Sequence, residues 1–298
     1  MLFKKIFKKK NKMKINEFPT RNPFILAPMQ EINDIAFRLL CKRYNCGLTE
    51  TGMIHPLTKQ EFYLEDRPIV QLFCTKTKGI KDFVKKYNKR VAGWDFNLGC
   101  PAKTAKKLGH GSYLTDLEVI EDILKTIRLS AGKNKPFIVK VRKSDISFEI
   151  LKIAEKYCDA IAIHARTREQ GYAGKPDLKF AQKIKKKSKI PVIYSGNVNK
   201  NNYRKLLRKF DYLMIGREAI GNPEIFSFLS EGKDYVNSNK NSFHEYLKIS
   251  KKYNFPFRQL KLQAMNFTKG MKNAKELRLR IFKAKDKKQL KDLFNPAK

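Results

Sequence analysis

Short β-rich runs recur along the chain at Phe24–Met29, Leu48–Thr51, Ile69–Cys74, Trp94–Leu98, Phe137–Val141, Ala160–His164, Pro191–Tyr194 and Tyr212–Ile215. Between most of them, apolar residues fall at helical spacing. Asn33–Tyr44 sets Ile35, Ala36, Leu39 and Leu40 on one face. Asp116–Leu129 does the same with Val119, Ile120, Ile123, Leu124 and Ile127, and Asp116 is placed to cap it. Asp177–Lys187 and Asn199–Phe210 follow the same pattern. Strands that alternate with helices require a parallel sheet. Eight such units in about 230 residues predict an α/β chain closed into a (β/α)8 TIM barrel. The rival is an open doubly wound sheet, but its Gly-x-Gly-x-x-Gly turn after the first strand is missing.

Beyond Gly232 the strand signals stop. Asp234–Asn241 is polar and reads as a linker. Ser242–Tyr253, Phe257–Lys269, Ala274–Ala284 and Asp286–Leu293 then read as short amphipathic helices, with Lys and Arg interleaved among Phe, Tyr and Leu. The expected organisation is a basic N-terminal extension over residues 1–18, the barrel over 19–233, and a small all-helical C-terminal domain over 234–298. A helical unit of about 60 residues is marginal alone, so it should lean on the barrel.

The 298 residues are 42% apolar and 31% charged, enough to build a core and too apolar for a disordered chain. No apolar run approaches the roughly 18 residues that span a bilayer, so no membrane association through a helix is expected. The five cysteines (Cys41, Cys46, Cys74, Cys100 and Cys158) form no Cys-x-x-Cys pair. A disulfide framework and a metal site are both disfavoured, and a reduced, cytoplasmic protein is expected. The formal net charge of +37 points to a polyanionic partner, nucleic acid first. The competing reading is Lys enrichment from genome composition, which usually brings Glu with it; this chain lacks the Glu. The start, MLFKKIFKKKNKMK, is basic but has no apolar stretch after it, so a secretory signal is not expected. It is either a basic arm or an extension ahead of an alternative start at Met13; the second reading is favoured.

In such a barrel the chemistry gathers at the C-terminal ends of the strands. Polar or reactive residues stand at those ends throughout: Pro28-Met29, Glu50, Gln71, Asn97-Leu98-Gly99-Cys100-Pro101, Lys140 and Arg142, His164-Ala165-Arg166-Thr167, Ser195-Gly196-Asn197, and Gly216-Arg217. Polar groups inside apolar strands are costly unless they are used. Gly196 and Gly216 admit backbone N–H groups close to an anion, and Arg217 can bind it bidentately, so the last two ends predict a phosphate site. Gln71 and Lys140 could hold a flat heterocycle, with the Lys stabilising negative charge on it; a barrel Lys can also simply pair with a carboxylate such as Glu50. Cys100 lies in a Gly-Cys-Pro turn with Lys103, Lys106 and Lys107 following. Thiols are mostly protonated at neutral pH, which suits a proton donor, whereas nearby Lys residues favour a thiolate nucleophile. For Cys41, Cys46 and Cys158 the expected role is that of a buried small hydrophobe.

Several of these segments together resemble the tRNA dihydrouridine synthase family. They are Ala27-Pro28-Met29-Gln30-Glu31-Ile32-Asn33-Asp34-Ile35-Ala36-Phe37-Arg38, Asn97-Leu98-Gly99-Cys100-Pro101 with Gly109-His110-Gly111-Ser112-Tyr113-Leu114, His164 through Gly174, and Gly216-Arg217-Glu218-Ala219-Ile220-Gly221-Asn222-Pro223. The resemblance covers residues 22–230. It implies an FMN-dependent barrel oxidoreductase that reduces the C5–C6 double bond of specific uridines in tRNA, with NADPH or NADH as electron source and a monomer expected. By position, Pro28, Met29 and Gln30 would line the flavin, Gln71, Lys140 and His164 would contact its ring, and Ser195, Gly196, Asn197, Gly216 and Arg217 would hold its phosphate. Cys100 would protonate C5 as hydride reaches C6. Asn97 would place the uracil, with Arg166 and Lys103 also on the substrate side. The basic helical tail would bind tRNA. A flavin barrel acting on a free pyrimidine, like dihydroorotate dehydrogenase, is the alternative. The sequence departs from the family at Glu31 (usually Gly), Asn33 (usually Thr), Cys74 (usually Gly) and Ser195-Gly196-Asn197 (usually Asn-Gly-Asp). Glu50-Thr51-Gly52-Met53 is longer than the usual Thr-Glu-Met.

Overall fold

The structure is a computed structural model and describes residues 20–232 and 239–295. Eight strands form one parallel sheet: β1 (Phe24–Leu26), β2 (Glu50–Ile54), β3 (Ile69–Leu72), β4 (Gly93–Leu98), β5 (Phe137–Arg142), β6 (Ala160–His164), β7 (Val192–Ser195) and β8 (Tyr212–Ile215). Their spatial order is β1-β8-β7-β6-β5-β4-β3-β2. The two ends meet at a parallel bridge between Ile25 and Leu48, where Leu26 N–H donates to Leu48 O at 2.9 Å. Asn33 reinforces this seam: its Nδ2 donates to Ala27 O at 2.7 Å and to Glu50 O at 2.8 Å. The expected barrel is therefore observed, and the Asn that replaces the family's Thr is a cross-link at its seam.

Eight helices surround the sheet, one after each of β1, β3, β5, β6, β7 and β8 and two after β4, while β2 runs on to β3 without one: α1 (Ile35–Arg43), α2 (Ile80–Tyr87), α3 (Lys103–Leu108), α4 (Leu117–Ala131), α5 (Ser147–Tyr157), α6 (Leu178–Lys187), α7 (Tyr203–Leu207) and α8 (Ile225–Glu231). Asp116 caps α4 as the sequence predicts, accepting from the N–H groups of Glu118 and Val119. The helix expected over Asn199–Phe210 shrinks to α7. Asn199 and Asn202 divert its first turn, because Asn202 Oδ1 accepts from Asn199 N–H and Asn199 Oδ1 from Asn201 N–H. Period-two alternation then separates two faces of the sheet. One set of residues, Ile25, Ala27, Leu48, Ile69, Ile138, Ala160, Ala162, Ile193 and Met214, fills the lumen. The other set packs outward on the helices.

The tail is helical as expected: α9 (Asn239–Ser250), α10 (Phe257–Phe267), α11 (Ala274–Lys283) and α12 (Lys287–Asp292). Its first helix begins ahead of the expected Ser242, so part of the proposed linker is helix. The rest of that linker and the N-terminal extension lie outside the described residues. Phe243, Tyr246, Phe267 and Phe294 are buried where the tail packs, with Phe37 of α1 in edge contact with Phe267. Beneath them, Arg38 makes a buried ion pair with Asp66 at 2.8 Å and donates to Asn33 O and Tyr63 O, so its charge is fully partnered.

Candidate active site

Parity along the strands decides what reaches the barrel mouth. Gln71, Asn97, Lys140, His164 and Ser195 each stand two or four residues beyond a lumen position or share its register, so all rise from the inward face. Around 400 Å³ of cavity opens there, lined among others by Pro28, Met29, Lys140, His164, Arg166, Ser195, Gly196, Asn197, Gly216 and Arg217. Ten of the residues singled out from sequence thus come together. Gln71, Asn97 and Cys100 are not on this lining, and neither is Gln30, which is exposed and faces a neighbouring groove. Lys103 is exposed at the start of α3, away from this lining.

The cavity is strongly electropositive. Asn197, in a left-handed conformation (φ 50°), offers its Oδ1 to Arg166 Nη2 at 3.1 Å and Arg217 Nη2 at 2.6 Å. A neutral amide oxygen thus ties two guanidinium groups without cancelling their charge, where the family's usual Asp would cancel part of it. Glu218 is the carboxylate on this lining, and Lys269 lies 3.8 Å from it. Arg166 is buried and committed, donating also to Ala173 O and Gly174 O. Its Nη1 lies 3.1 Å from His164 Nε2. A guanidinium only donates, so His164 Nε2 accepts and the proton sits on Nδ1. Burial, then the charges of Lys140, Arg142, Arg166 and Arg217, push the imidazole down to about 2, so it is neutral. This donor set fits an anionic phosphate, and Lys140 belongs to the same lining.

Cys100 sits in the turn after β4, half-buried, while the other four cysteines are buried. Its N–H donates to Asn97 Oδ1 at 2.9 Å, and its carbonyl accepts from Ser112 N–H at 3.1 Å and Ser112 Oγ at 2.9 Å. Gly111 (φ 64°) lies so close that a Cβ there would stand 2.8 Å from Cys100 O. Lys140 and Arg142 are both close enough to the Cys100 side chain to interact with it electrostatically. Arg142 donates to Gly99 O, Thr167 O and Gly171 O, so it ties the loop after β4 to the loop after β6.

Gln71 is fully buried below this rim. Its Nε2 donates to Asp95 Oδ2 at 2.5 Å and its Oε1 accepts from Asn97 Nδ2 at 2.8 Å. Asp95 escaped the sequence reading, although a lone Asp within the apolar run Trp94–Leu98 was a signal. The extra residue in Glu50–Met53 is absorbed as a bulge: Glu50 pairs with Ile69 but Met53 with Gln71, and Thr51 Oγ1 takes the Gln71 N–H at 3.2 Å. Cys74, where the family usually has Gly, is buried, and burial pushes its thiol up to about 12.

A profile of the family described as dihydrouridine synthase (Dus) matches residues 25–298. The chain belongs to the dihydrouridine synthase family. A probable tRNA-dihydrouridine synthase of Aquifex aeolicus is 29% identical, over 92% of this chain and 95% of its own. A probable tRNA-dihydrouridine synthase of Helicobacter pylori is 33% identical over 70% of each chain. A tRNA-dihydrouridine synthase B of Vibrio cholerae is 30% identical over 74% of this chain and 76% of its own. Among solved structures, an old yellow enzyme homologue from Zymomonas mobilis superposes with a TM-score of 0.56 at 10% identity, covering 75% of this chain and 92% of its own. Morphinone reductase in complex with tetrahydroNAD gives 0.52 at 10% identity, covering 75% and 90%. These two share the barrel.

A second, larger groove adjoins the mouth of this dihydrouridine synthase family member, between the barrel and the tail. Its volume is about 1090 Å³, and Met29, Gln30, Tyr63, Phe255, Arg258 and Lys261 are among its walls. Among the described residues, no helix is long and apolar enough to cross a membrane, and no group of three or more His, Cys, Asp or Glu is arranged to hold a metal ion.

Proposed function

We propose that this protein is a tRNA-dihydrouridine synthase that reduces the C5–C6 double bond of uridines within tRNA. The observation that carries the reading is the half-exposed Cys100, held by its backbone in the turn after β4 and close to Lys140, a residue of a cationic barrel mouth that suits a phosphate. The family match and the names of its relatives support it. A flavin mononucleotide, when bound, supplies the hydride for C6 and is restored by NADPH or NADH.

The chain's own residues do the rest. Arg217, with Ser195, Gly196, Asn197 and Gly216, holds the phosphate arm. Pro28 and Met29 line the cofactor, and Gln30 stands at its outer edge. Lys140 and neutral His164, both on the cavity lining, would contact the ring of a bound flavin, where the Lys140 ammonium would stabilise negative charge. Gln71 supports that end from below, its amide already engaged by Asp95 and Asn97. Cys100 gives its proton to C5 and is reprotonated from solvent. On the substrate side Asn97 holds the Cys100 turn and Lys103, exposed at the start of α3, is placed to meet a tRNA phosphate, whereas Arg166, committed to His164, Ala173, Gly174 and Asn197, shapes the phosphate end. A uridine inside folded tRNA must be turned out to reach this mouth, at a cost of a few kcal/mol. Phosphate contacts along the aromatic and basic groove offset that cost, and they weaken with salt.

The test is reduction of unmodified tRNA by the purified protein with NADPH, followed by mass spectrometry of the nucleosides. A gain of two hydrogens at a uridine is expected. Reduction of free orotate or uridine with tRNA left untouched would overturn the reading in favour of the free-pyrimidine enzyme.

A further inference from the structure

Under the floor of the mouth lie two carboxyls that the reaction does not use. Glu50 and Asp95 are both fully buried. No hydrogen-bond donor reaches either oxygen of Glu50 or Oδ1 of Asp95. The two carboxyls act on each other, and Lys140 is the cation that both share. The remaining oxygen of Asp95 takes the Gln71 amide at 2.5 Å, Gln71 takes the Asn97 amide at 2.8 Å, and Asn97 Oδ1 takes the N–H groups of Gly99 at 3.1 Å and Cys100 at 2.9 Å.

The direction of this chain is forced from its upper end. Backbone N–H groups only donate, so Asn97 turns its oxygen to Gly99 and Cys100 and its NH2 to Gln71. Gln71 answers with Oε1 and is left with its NH2 for Asp95. Asp95 must then accept. The one ammonium they share, which stands on the cavity wall, cannot balance two buried carboxylates, and a second ionised carboxyl without donors would be very costly. A proton on Glu50, aimed at Asp95 Oδ1, removes the excess charge and supplies the missing donor.

We propose that Glu50 and Asp95 are positioning residues: one proton, kept on Glu50 and donated to Asp95, sets the polarity of the Asp95–Gln71–Asn97 chain that holds the Cys100 turn at the barrel mouth. Burial and the neighbouring Asp95 hold the Glu50 carboxyl well above the usual carboxylate range; burial also raises Asp95, to about 7, while the Gln71 hydrogen bond, Lys140 and the Glu50 hydrogen bond pull it down, which fits one proton held between the two. The inference rests on Cys100 as the reactive thiol, but its test reads the turn by itself.

The experiment compares two variants of the flavin-loaded enzyme. Glu50→Gln keeps a donor for Asp95, and Glu50→Met fills a similar volume without one. For each, kcat and KM on tRNA are measured, together with the rate of Cys100 alkylation by iodoacetamide, located by mass spectrometry. Burial of the other four cysteines makes that reaction selective. The Met variant should lose about 10-fold or more in kcat, with KM for tRNA little changed, and its Cys100 should be alkylated at a rate several-fold different. The Gln variant should restore both readouts. Impairment in Gln equal to that in Met would show that an ionised Glu50 is needed and would overturn the proposal. A Met variant indistinguishable from the unsubstituted enzyme would overturn it too. Should the Met variant fail to fold, Glu50→Gln alone decides, since an ionised partner for Lys140 could not be replaced by an amide. A proton-donor failure is separable: it would show as full turnover in a Cys100 variant while the alkylation contrast between the Glu50→Gln and Glu50→Met proteins persisted.

Discussion

Gln263 Nε2 donates to Asp34 Oδ2 at 2.7 Å across the junction between barrel and tail. The same oxygen accepts from Gln259 at 2.8 Å and from Tyr246 at 3.1 Å, while Asp34 Oδ1 caps α1 through the Phe37 N–H at 2.9 Å. One carboxylate therefore starts a helix with one oxygen and docks the tail with the other. Asp34→Asn separates the two functions, because Asn is an equally good cap but turns an NH2 toward three donors. The expected loss is about 1–3 kcal/mol, from buried groups left unpaired. Denaturant unfolding should show it, and limited proteolysis should cut the tail first. Stability equal to that of the unsubstituted protein would rule out this docking role.

His164 gives a pH dependence of definite sign. Its ordinary value is 6.5, and in the fold it is pushed down to about 2. Between those limits the unfolded chain carries a proton here that the folded chain refuses, so stability falls as pH drops below 6.5. The slope from one group is up to about 1.4 kcal/mol per pH unit. His164→Gln keeps an acceptor for Arg166 and removes the titration. Denaturation midpoints followed from pH 7 to pH 5 should decline less in the Gln variant, and parallel profiles would refute the neutral imidazole.

Glu31 occupies a left-handed backbone position, φ 60°, at the turn where relatives usually carry Gly. A side chain there costs about 1 kcal/mol. The contact that the turn makes with the tail runs through the Glu31 carbonyl, which accepts from Gln259 at 2.9 Å, and glycine retains it. Glu31→Gly should therefore raise the denaturation midpoint, by about 1 kcal/mol less the entropy that glycine returns to the unfolded chain. A lower midpoint would mean that the carboxylate does something the backbone does not.

The eight strands could be read from sequence because each is a short apolar run bounded by polar turns, and the residues at their ends could be read as functional because water-loving groups inside such runs are costly. Gln71, Asn97, Lys140 and His164 share the inward parity for that reason. What stayed hidden depends on pairing across the fold. Asp95 passed unnoticed in its apolar strand, because its role rests on Gln71 of the neighbouring strand. Asp34 was visible only as part of a motif, and its second oxygen acquires meaning only when Gln259 and Gln263, more than two hundred residues away, fold onto it. The extra residue after Glu50 was visible as a length difference, but whether it became a loop or a bulge depended on the register with β3. α7 fell short of its expected span because local Asx turns outcompeted helical periodicity.

Cys100 is held in place by its backbone: Asn97 takes its N–H, and Ser112 donates twice to its carbonyl. Truncating the side chain should leave the turn and the flavin site intact. Cys100→Ala removes the proton source for C5 and should lower tRNA reduction by about 10²–10⁴-fold, the usual worth of a positioned general acid. Cys100→Ser places a much weaker acid at the same point and should recover little of that loss. Flavin absorbance per protein should be unchanged in both, and reduction of the bound flavin by NADPH, which does not use this thiol, should proceed at its normal rate. The defect would then be confined to the half-reaction with tRNA, measured by mixing reduced enzyme with unmodified tRNA. An Ala variant that reoxidises on tRNA as fast as the unsubstituted enzyme would show that the proton comes from elsewhere, with Lys140 the next group to test.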